Sequence, residues 1–394
     1  MTHDREILRP LDDSIIRVIN NKPTLLRRAR GYTPMPVTIS QPLPEQLAVG
    51  GQMKSTLGLS QAHQLVLSQH LGELQSLDSQ QLFEQTLADL QRFYTIKPET
   101  VIHDLHPDYH STIIANQQSI QKKTIQHHHA HILSCMAEHD LQAPLLGFAW
   151  DGTGLGLDKN LWGGECLLVN KQSFQRYAHF RYFPLVGGDK AAQEPRRSAL
   201  GLLYEIYQQQ LFEHKSDLLA DFSVQELKLL QHSLNKRLNT VNTSSVGRLF
   251  DGVSSLLGLC DINSYEGQAA MLLEQLARTS STEQSYAFTL IGKQALEINW
   301  QPMVIEILAD LVSLDKKTIA AKFHNTLADI MLSLAKQAQQ QNIVLSGGCF
   351  QNAFLTEKCS VKLENAGFTV YTHEKIPPND GGIALGQLYS AILD

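Results

Sequence analysis

No stretch of this sequence approaches the roughly 18 to 20 consecutive apolar residues that a membrane-spanning helix needs, so no membrane span is expected. The opening Met1-Thr2-His3-Asp4-Arg5-Glu6 carries acids and lacks an apolar run, which argues against a signal peptide. Cysteine is scarce. The five residues Cys135, Cys166, Cys260, Cys349 and Cys359 are scattered and contain no C-x-x-C pair, so neither a disulfide framework nor a thiolate zinc site is expected. A basic excess is missing as well: 33 Lys+Arg against 39 Asp+Glu give a formal charge of −6. A nucleic acid is therefore a poor partner, since polyanion binders carry positive charge. Hydrophobic residues make up 43% and charged residues 18% of the 394, enough apolar material for a core. The expectation is a soluble, reduced, cytoplasmic protein, either two or three domains or one two-lobed enzyme.

Short strands are expected in residues 1–40. Ser14 to Ile19 and Pro23 to Leu26 flank Asn20-Asn21-Lys22, a hairpin-like turn. A piece this small has to pack on something else. From residue 45 onward, Leu47 to Leu59 reads as strand, glycine turn, strand. Leu145 to Trp150, Asp151 to Gly156 and Trp162 to Val169 repeat the idea, which suggests an internal duplication. Helical spacing recurs over Gln80–Tyr94, and helices are expected over Asp217–Arg237, Leu249–Leu257 and Lys317–Gln340. Ile343-Val344-Leu345 reads as a buried strand leading into Ser346-Gly347-Gly348.

Two constellations could carry chemistry. In His127-His128-His129-Ala130-His131, His127 and His131 are four apart and would share one helix face, within reach of one cation. The spacing alone is half a site; a surface histidine cluster has the same pattern. Position 128 is His where a zincin needs Glu, which disfavours a metalloprotease. Candidate oxygen ligands are Asp151, at a strand end, and Asp380 in Pro377-Pro378-Asn379-Asp380-Gly381-Gly382. Mixed imidazole and carboxylate ligation suits Fe2+, Zn2+ or Mn2+.

The second constellation is a set of glycine-rich turns after apolar strands: Asp151-Gly152-Thr153-Gly154, Val186-Gly187-Gly188-Asp189 and Ser346-Gly347-Gly348. Glycine lets a backbone approach a phosphate and present N–H groups to it. Neither the Rossmann nor the P-loop fingerprint is present, and a single such turn is often only a turn. Several together favour a nucleotide cleft. Asp251, one helical turn past Gly247, could hold ribose hydroxyls or merely cap a helix. Glu266 is a loop acid or a helix-start residue. Lys54 beside Gly50-Gly51 could meet a phosphate or simply solvent. Cys349 reads better as a small buried residue than as a nucleophile, and His70 is undecided.

As an ordered set these segments resemble the carbamoyltransferase module of the HypF hydrogenase-maturation proteins. The resembling stretches are Val101 to Tyr109, Gln126 to His131, Asp151 to Gly154 with Leu161 to Glu165, and Gly187 to Asp189. Gly247 to Asp251, Tyr265 to Ala270, Ser346 to Gly348 with Phe350 to Asn352, and Pro377 to Gln387 follow in family order. The resemblance implies an α/β fold of the actin/sugar-kinase (ASKHA) type, two duplicated lobes around a nucleotide cleft, similar to TsaD-type transferases. It implies a TsaD-like domain over 41–394, with lobes about 41–140 and 141–394, after a YrdC-like remnant and linker over 1–40.

It further implies a metal held by His127, His131 and Asp380, with Asp151 as the matching extra carboxylate; Asp151 and Lys54 are the candidate catalytic residues. Ser346, Gly347, Gly348 and Asn352 would hold adenosine, and Gly247 and Asp251 would face the ribose. Gly152, Gly187, Gly188, Asp189 and Glu266 complete the implied nucleotide set. The implied cofactors are a divalent metal (Fe2+ or Zn2+, or Mg2+ with nucleotide) and ATP, AMP or carbamoyl-adenylate. The implied reaction moves a carbamoyl group from carbamoyl-adenylate to the C-terminal cysteine of HypE, on the way to the cyanide ligand of [NiFe]-hydrogenase. Of the acylphosphatase, zinc-finger and YrdC-like domains of that family only the YrdC-like remnant is expected here, so a YrdC-like half in cis or in trans is expected to supply the intermediate. The alternatives are a same-fold O-carbamoyltransferase acting on a small molecule and a non-catalytic nucleotide-binding scaffold.

Overall fold

Asn20 and Asn21 both take left-handed backbone angles, with φ of 50° and 59°, which suits a tight two-residue hairpin. They join β1 (Ile15–Ile19) to β2 (Lys22–Arg27) as an antiparallel pair. The computed structural model describes residue 4, residues 7–214 and residues 216–393. Two compact units result: residues up to Leu141 together with those from His373 onward, and Gln142–Thr372. The β1–β2 hairpin belongs to the first unit, where Leu25 N–H donates to Glu374 O at 2.9 Å. Residues 373–394, grouped with the second lobe in the sequence reading, fold with the first unit. The reason is packing: the helix Ile383–Tyr389 is buried along its whole length against the helix His127–Glu138.

The sheet of the first unit is built from β3 (Val37–Ala48), β4 (Gly58–Leu67), β5 (Thr100–Asp104) and β6 (Gln121–Ile125). Its order is β4-β3-β5-β6, antiparallel between β3 and β4 and parallel for the remaining pairs. Helix Leu77–Tyr94 packs on it through Phe83 and Leu87, in a core with Leu47, Leu59 and Val101. The expected glycine turn between β3 and β4 is instead a longer loop over 49–57. Gln387 pins it, accepting from Gly50 N–H at 2.8 Å and donating to Gly50 O at 3.1 Å.

In the second unit the strands are β7 (Leu145–Leu155), β8 (Leu161–Val169), β9 (Phe174–Phe180), β10 (Phe183–Val186), β11 (Thr240–Thr243), β12 (Thr289–Ile291), β13 (Leu296–Asn299), β14 (Asn342–Ser346) and β15 (Thr369–Thr372). The central run is β9-β8-β7-β14-β15, with β7–β8 and β8–β9 antiparallel and β7–β14 and β14–β15 parallel. Its β8-β7-β14-β15 portion repeats the β4-β3-β5-β6 pattern. The duplication suspected from the two glycine-punctuated segments is thus present in strand order and direction, and the α/β class is as expected.

Strand β7 is buried through Asp151 because both faces of the sheet are covered. Its Trp150 ring stacks on Phe350 at 5.7 Å. The long helix expected over 217–237 is a 3-10 turn (Ser216–Leu219) followed by Val224–Lys236. A new start at Ser223 divides them: its hydroxyl accepts from Glu226 N–H while Glu226 accepts from Ser223 N–H, a capping box.

His324 lies fully buried in the helix Lys316–Ala338, between the rings of Phe250 and Phe354. Its Nδ1 donates to Ala320 O at 2.7 Å and its Nε2 accepts from Asn352 Nδ2 at 3.0 Å. Burial lowers its pKa from 6.5 to about 4. The folded state therefore resists protonation that the unfolded chain accepts. The associated stability is fully present above pH 6.5 and is lost as pH falls toward 4, by roughly 3 kcal/mol. Denaturant titrations between pH 7 and 4 should show a shallower acid loss for His324→Gln than for wild type. Equal slopes would contradict this assignment.

Candidate functional site

Asp104 ends β5, and His127 follows β6 by two residues. Both therefore stand at the carboxyl ends of neighbouring parallel strands, the usual place for a ligand in such sheets. The helix His127–Glu138 starts there because Gln126 caps it, its side-chain oxygen accepting from His129 N–H at 2.9 Å. Every residue from His127 to Ala137 is buried, so the histidine run is interior and not a surface cluster.

His127 Nδ1–H donates to Asp104 Oδ2 at 2.7 Å, with both side chains at most 1% exposed. Asp104 Oδ1 is occupied by His106 N–H at 2.9 Å. The carboxylate fixes the His127 tautomer and leaves the Nε2 lone pair to face Asp380, as in carboxylate–histidine–metal triads. His127 Nε2 and His131 Nε2 lie 3.7 Å and 3.6 Å from Asp380 Oδ1. These distances exceed a hydrogen bond and approach the ~3.4 Å between two donors on one tetrahedral ion. Two imidazole nitrogens and a carboxylate, one imidazole oriented from behind, fit a divalent transition metal.

Asp380 is held by its loop. Asn379 Oδ1 accepts from Gly381 N–H at 3.0 Å, Asn379 Nδ2 donates to Leu26 O at 3.0 Å, and Thr56 donates to Gly381 O at 3.1 Å. Asp104 lay inside a quoted motif but carried no role in the sequence reading; a carboxylate ending a buried strand was the signal. Asp104→Asn keeps the shape and removes the charge. It should weaken metal affinity about 10- to 100-fold, read by competition with a calibrated chelator; unchanged affinity would contradict the triad.

Lys54 sits in the 49–57 loop, partly buried with φ 45°. It acts on His70, whose pKa falls to about 4 through burial first, then Arg27 and Lys54.

The second unit gathers a different set. Asp151 Oδ1 accepts from Gly348 N–H at 3.0 Å. Ser245 Oγ donates to Asp151 O at 2.7 Å and lies 2.8 Å from Gly152 O, while accepting from Arg248 N–H as cap of the helix Val246–Leu256. Gly247 permits this approach, since a Cβ there would lie 2.8 Å from Gly152 Cα. Gly347, at φ 103°, brings the second turn against Trp150 O. Asp251 is 2% exposed, and burial pushes its carboxyl up to about 6 against the pull of Arg248.

The remaining candidates also lie in the second unit. Asn352 caps the helix Ala353–Asn365, its Oδ1 accepting from Leu355 N–H at 2.9 Å and its Nδ2 donating to His324. Ser346 is buried at the end of β14. Gly187, Gly188 and Asp189 form a separate turn, with Gly187 N–H donating to Asn239 O at 2.9 Å. Glu266 is exposed ahead of the helix Gln268–Ala277. Arg248, and the buried Glu165 that accepts from Ser244 Oγ at 2.6 Å and Arg176 Nε at 2.5 Å, were not singled out individually. An arginine inside an apolar helix is the signal that would have found the first.

Residues 41–138 match the family described as the HypF Kae1-like domain. Residues 147–387 match the carbamoyltransferase, Kae1-like domain, second subdomain. The chain belongs to the HypF carbamoyltransferase family. It is 39% identical to the carbamoyltransferase HypF of Synechocystis sp., over all of this chain and 53% of that protein. It is 32% identical to a shorter carbamoyltransferase HypF homolog of Cupriavidus necator, over 88% of this chain and 91% of that one. The solved full-length HypF in its phosphate- and nucleotide-bound form superposes with a TM-score of 0.94 at 36% identity, over 100% of this chain and 62% of that one. The T. kodakarensis HypF gives 0.87 at 28% identity, over 97% and 52%. The chain thus spans about half the length of most of the HypF relatives it matches. Among the described residues no helix is long and apolar enough to cross a membrane.

Proposed function

We propose that this HypF-family chain is a carbamoyl-transfer module. It moves the carbamoyl group of carbamoyl-adenylate onto the C-terminal cysteine thiolate of HypE in the cytoplasm, with a YrdC-like half in cis or in trans supplying the adenylate. The observation that carries this reading is the convergence of His127 and His131 on Asp380, with Asp104 behind His127.

A divalent cation held by His127, His131 and Asp380 would supply Lewis acidity toward carbonyl or phosphate oxygens. Asp151, which lies in the second unit, is assigned to the metal on the family resemblance alone. The role of Asp104 is to keep His127 in the ligating tautomer. On the nucleotide side, Gly152, in the irregular end of β7 where the sequence suggested a turn, and the Gly347-Gly348 turn are proposed to admit the adenylate, their lack of side chains letting it approach the backbone. The sulfur of the acceptor forms the new bond to the carbamoyl carbon as the bond to the AMP oxygen breaks.

The acceptor is external in this reading because the chain's own thiols are unsuited. Burial pushes Cys135, Cys166 and Cys349 well above the usual thiol range, and raises Cys260 and Cys359 too. Thiols raised this way are poor nucleophiles at neutral pH.

The test is single turnover with supplied carbamoyl-adenylate and two acceptors, HypE and HypE with its terminal cysteine changed to alanine. Mass spectrometry should find the carbamoyl adduct on the first alone. Adducts on both, or on neither with metal-loaded protein, would overturn the acceptor assignment.

A further inference from the structure

Arg248 is the least explained buried charge of the second unit. It lies in the first turn of the helix Val246–Leu256, with its side chain 15% exposed. Its Nη2 lies 3.6 Å from where a Cβ on Gly152 would stand, so the guanidinium lies against the irregular, glycine-containing end of β7. Its Nη1 comes within 3.0 Å of Asp251 Oδ2. That approach is not aligned as a hydrogen bond: Arg248 Nε, Arg248 Nη1 and Asp251 Oδ2 all lack a hydrogen-bond partner among the described residues. A guanidinium has five donors in a planar fork suited to phosphate oxygens. Leaving two of its nitrogens buried and unsatisfied is costly unless a ligand completes them.

The surroundings point the same way. The helix N-terminus carries partial positive charge, and Gly152, which has no side chain, stands beside the guanidinium. Asp251 is more deeply buried than Arg248 and sits behind it, where it can hold the guanidinium in place.

We infer that Arg248 binds the phosphate of the nucleotide and lets this chain distinguish a nucleotide from a nucleoside, with Asp251 as its positioning partner rather than a ribose ligand. This rests on the adenylate reading above and assigns a residue that the family motif left without a role. The anion it fits is the phosphate of AMP or of a carbamoyl-adenylate. In the ligand-bound state the guanidinium donates to phosphate oxygens, and Asp251, 3.0 Å from Nη1, holds the fork in place.

Equilibrium binding of AMP and of adenosine to the full chain separates the roles. Wild type should prefer AMP by roughly 10- to 100-fold, the scale of charge-assisted hydrogen bonds. Arg248→Ala should erase that preference and leave adenosine affinity within about threefold. Because Arg248→Ala leaves the Asp251 carboxyl without its cation, Arg248→Lys is the second variant. It keeps the charge, loses the fork, and should retain part of the preference. Asp251→Asn should weaken AMP and spare adenosine.

Undiminished AMP binding in both Arg248 variants would overturn the role of Arg248. Equal weakening of AMP and adenosine by Asp251→Asn would restore Asp251 as a ribose ligand and overturn its positioning role. Wild type that binds neither ligand would instead overturn the nucleotide reading itself, and this inference with it.

Discussion

His131→Ala is expected to strip the divalent metal from the chain and to lower carbamoyl transfer on the order of 1000-fold, the loss of several kcal/mol of charge stabilisation. His127 and Asp380 remain, with Asp151 as the ligand the resemblance adds, and His128 and His129 cannot replace the missing imidazole because they lie on other faces of the same helix. Asp380→Asn should act in the same direction with less disturbance of packing. Metal content per chain, measured beside the melting curve, separates the two ways of failing. A folded, metal-poor His131→Ala protein supports the assignment, while a folded variant with full metal content contradicts it.

Gly386→Ala should have the largest structural effect for a single methyl group. A Cβ at 386 would lie 1.8 Å from Ala130 O and 2.9 Å from Ser134 N. The obstacle is helix backbone, which cannot rotate aside as a side chain would. The helices Ile383–Tyr389 and His127–Glu138 would have to separate, and both are buried. Overpacking of this kind costs typically 1–3 kcal/mol and more when backbone must move, so about 3 kcal/mol or more is expected. The same shift would displace Ala130, between the two proposed ligands, so metal affinity should fall with stability. Gly72→Ala is the contrast: φ is +81° there but nothing lies within 4 Å, so its cost should be the backbone strain of about 1–2 kcal/mol. Denaturant midpoints for the two variants check the ranking, and equal loss would contradict the close-crossing argument.

Local signals in the sequence were reliable where one residue sets the geometry. Asn20-Asn21 gave a hairpin, and the apolar spacing of Leu82, Phe83, Leu87, Leu90 and Phe93 gave the helix Leu77–Tyr94, although Phe93 is exposed on it. The duplication was legible because glycine punctuates the same place in both sheets. What the sequence could not give was contact across long separations. Gln387 bonding to Gly50, and residues from His373 onward folding with the first unit, have no local signature.

The candidate site divides in the same way. The i, i+4 spacing of His127 and His131 is visible in one helical turn, and so was read. The Asp104 orienting bond spans a separation that strand order, not spacing, brings together. Asn352 is given to adenosine by the resemblance, and its cap of a helix and its bond to His324 have no local signal in sequence. Asp251 reads in sequence as a ribose ligand or a cap and Arg248 is given no role of its own, and only the structure reveals their ion pair. The glycine-rich segments were visible in composition, and at Gly347, as at Gly247 in its helix, the absent side chain first of all permits close backbone approach.

The most direct test of the central claim is a metal-resolved single turnover. The chain is stripped with chelator, reloaded separately with Fe2+ or Zn2+, and given carbamoyl-adenylate and HypE, with His127→Ala in parallel. Metal stoichiometry and the mass of the HypE tail are read on the same samples. The account predicts about one ion per wild-type chain and a carbamoylated tail only after reloading, with both lost in His127→Ala. Transfer that proceeds equally well in the stripped protein, or in a His127→Ala protein free of metal, would contradict it.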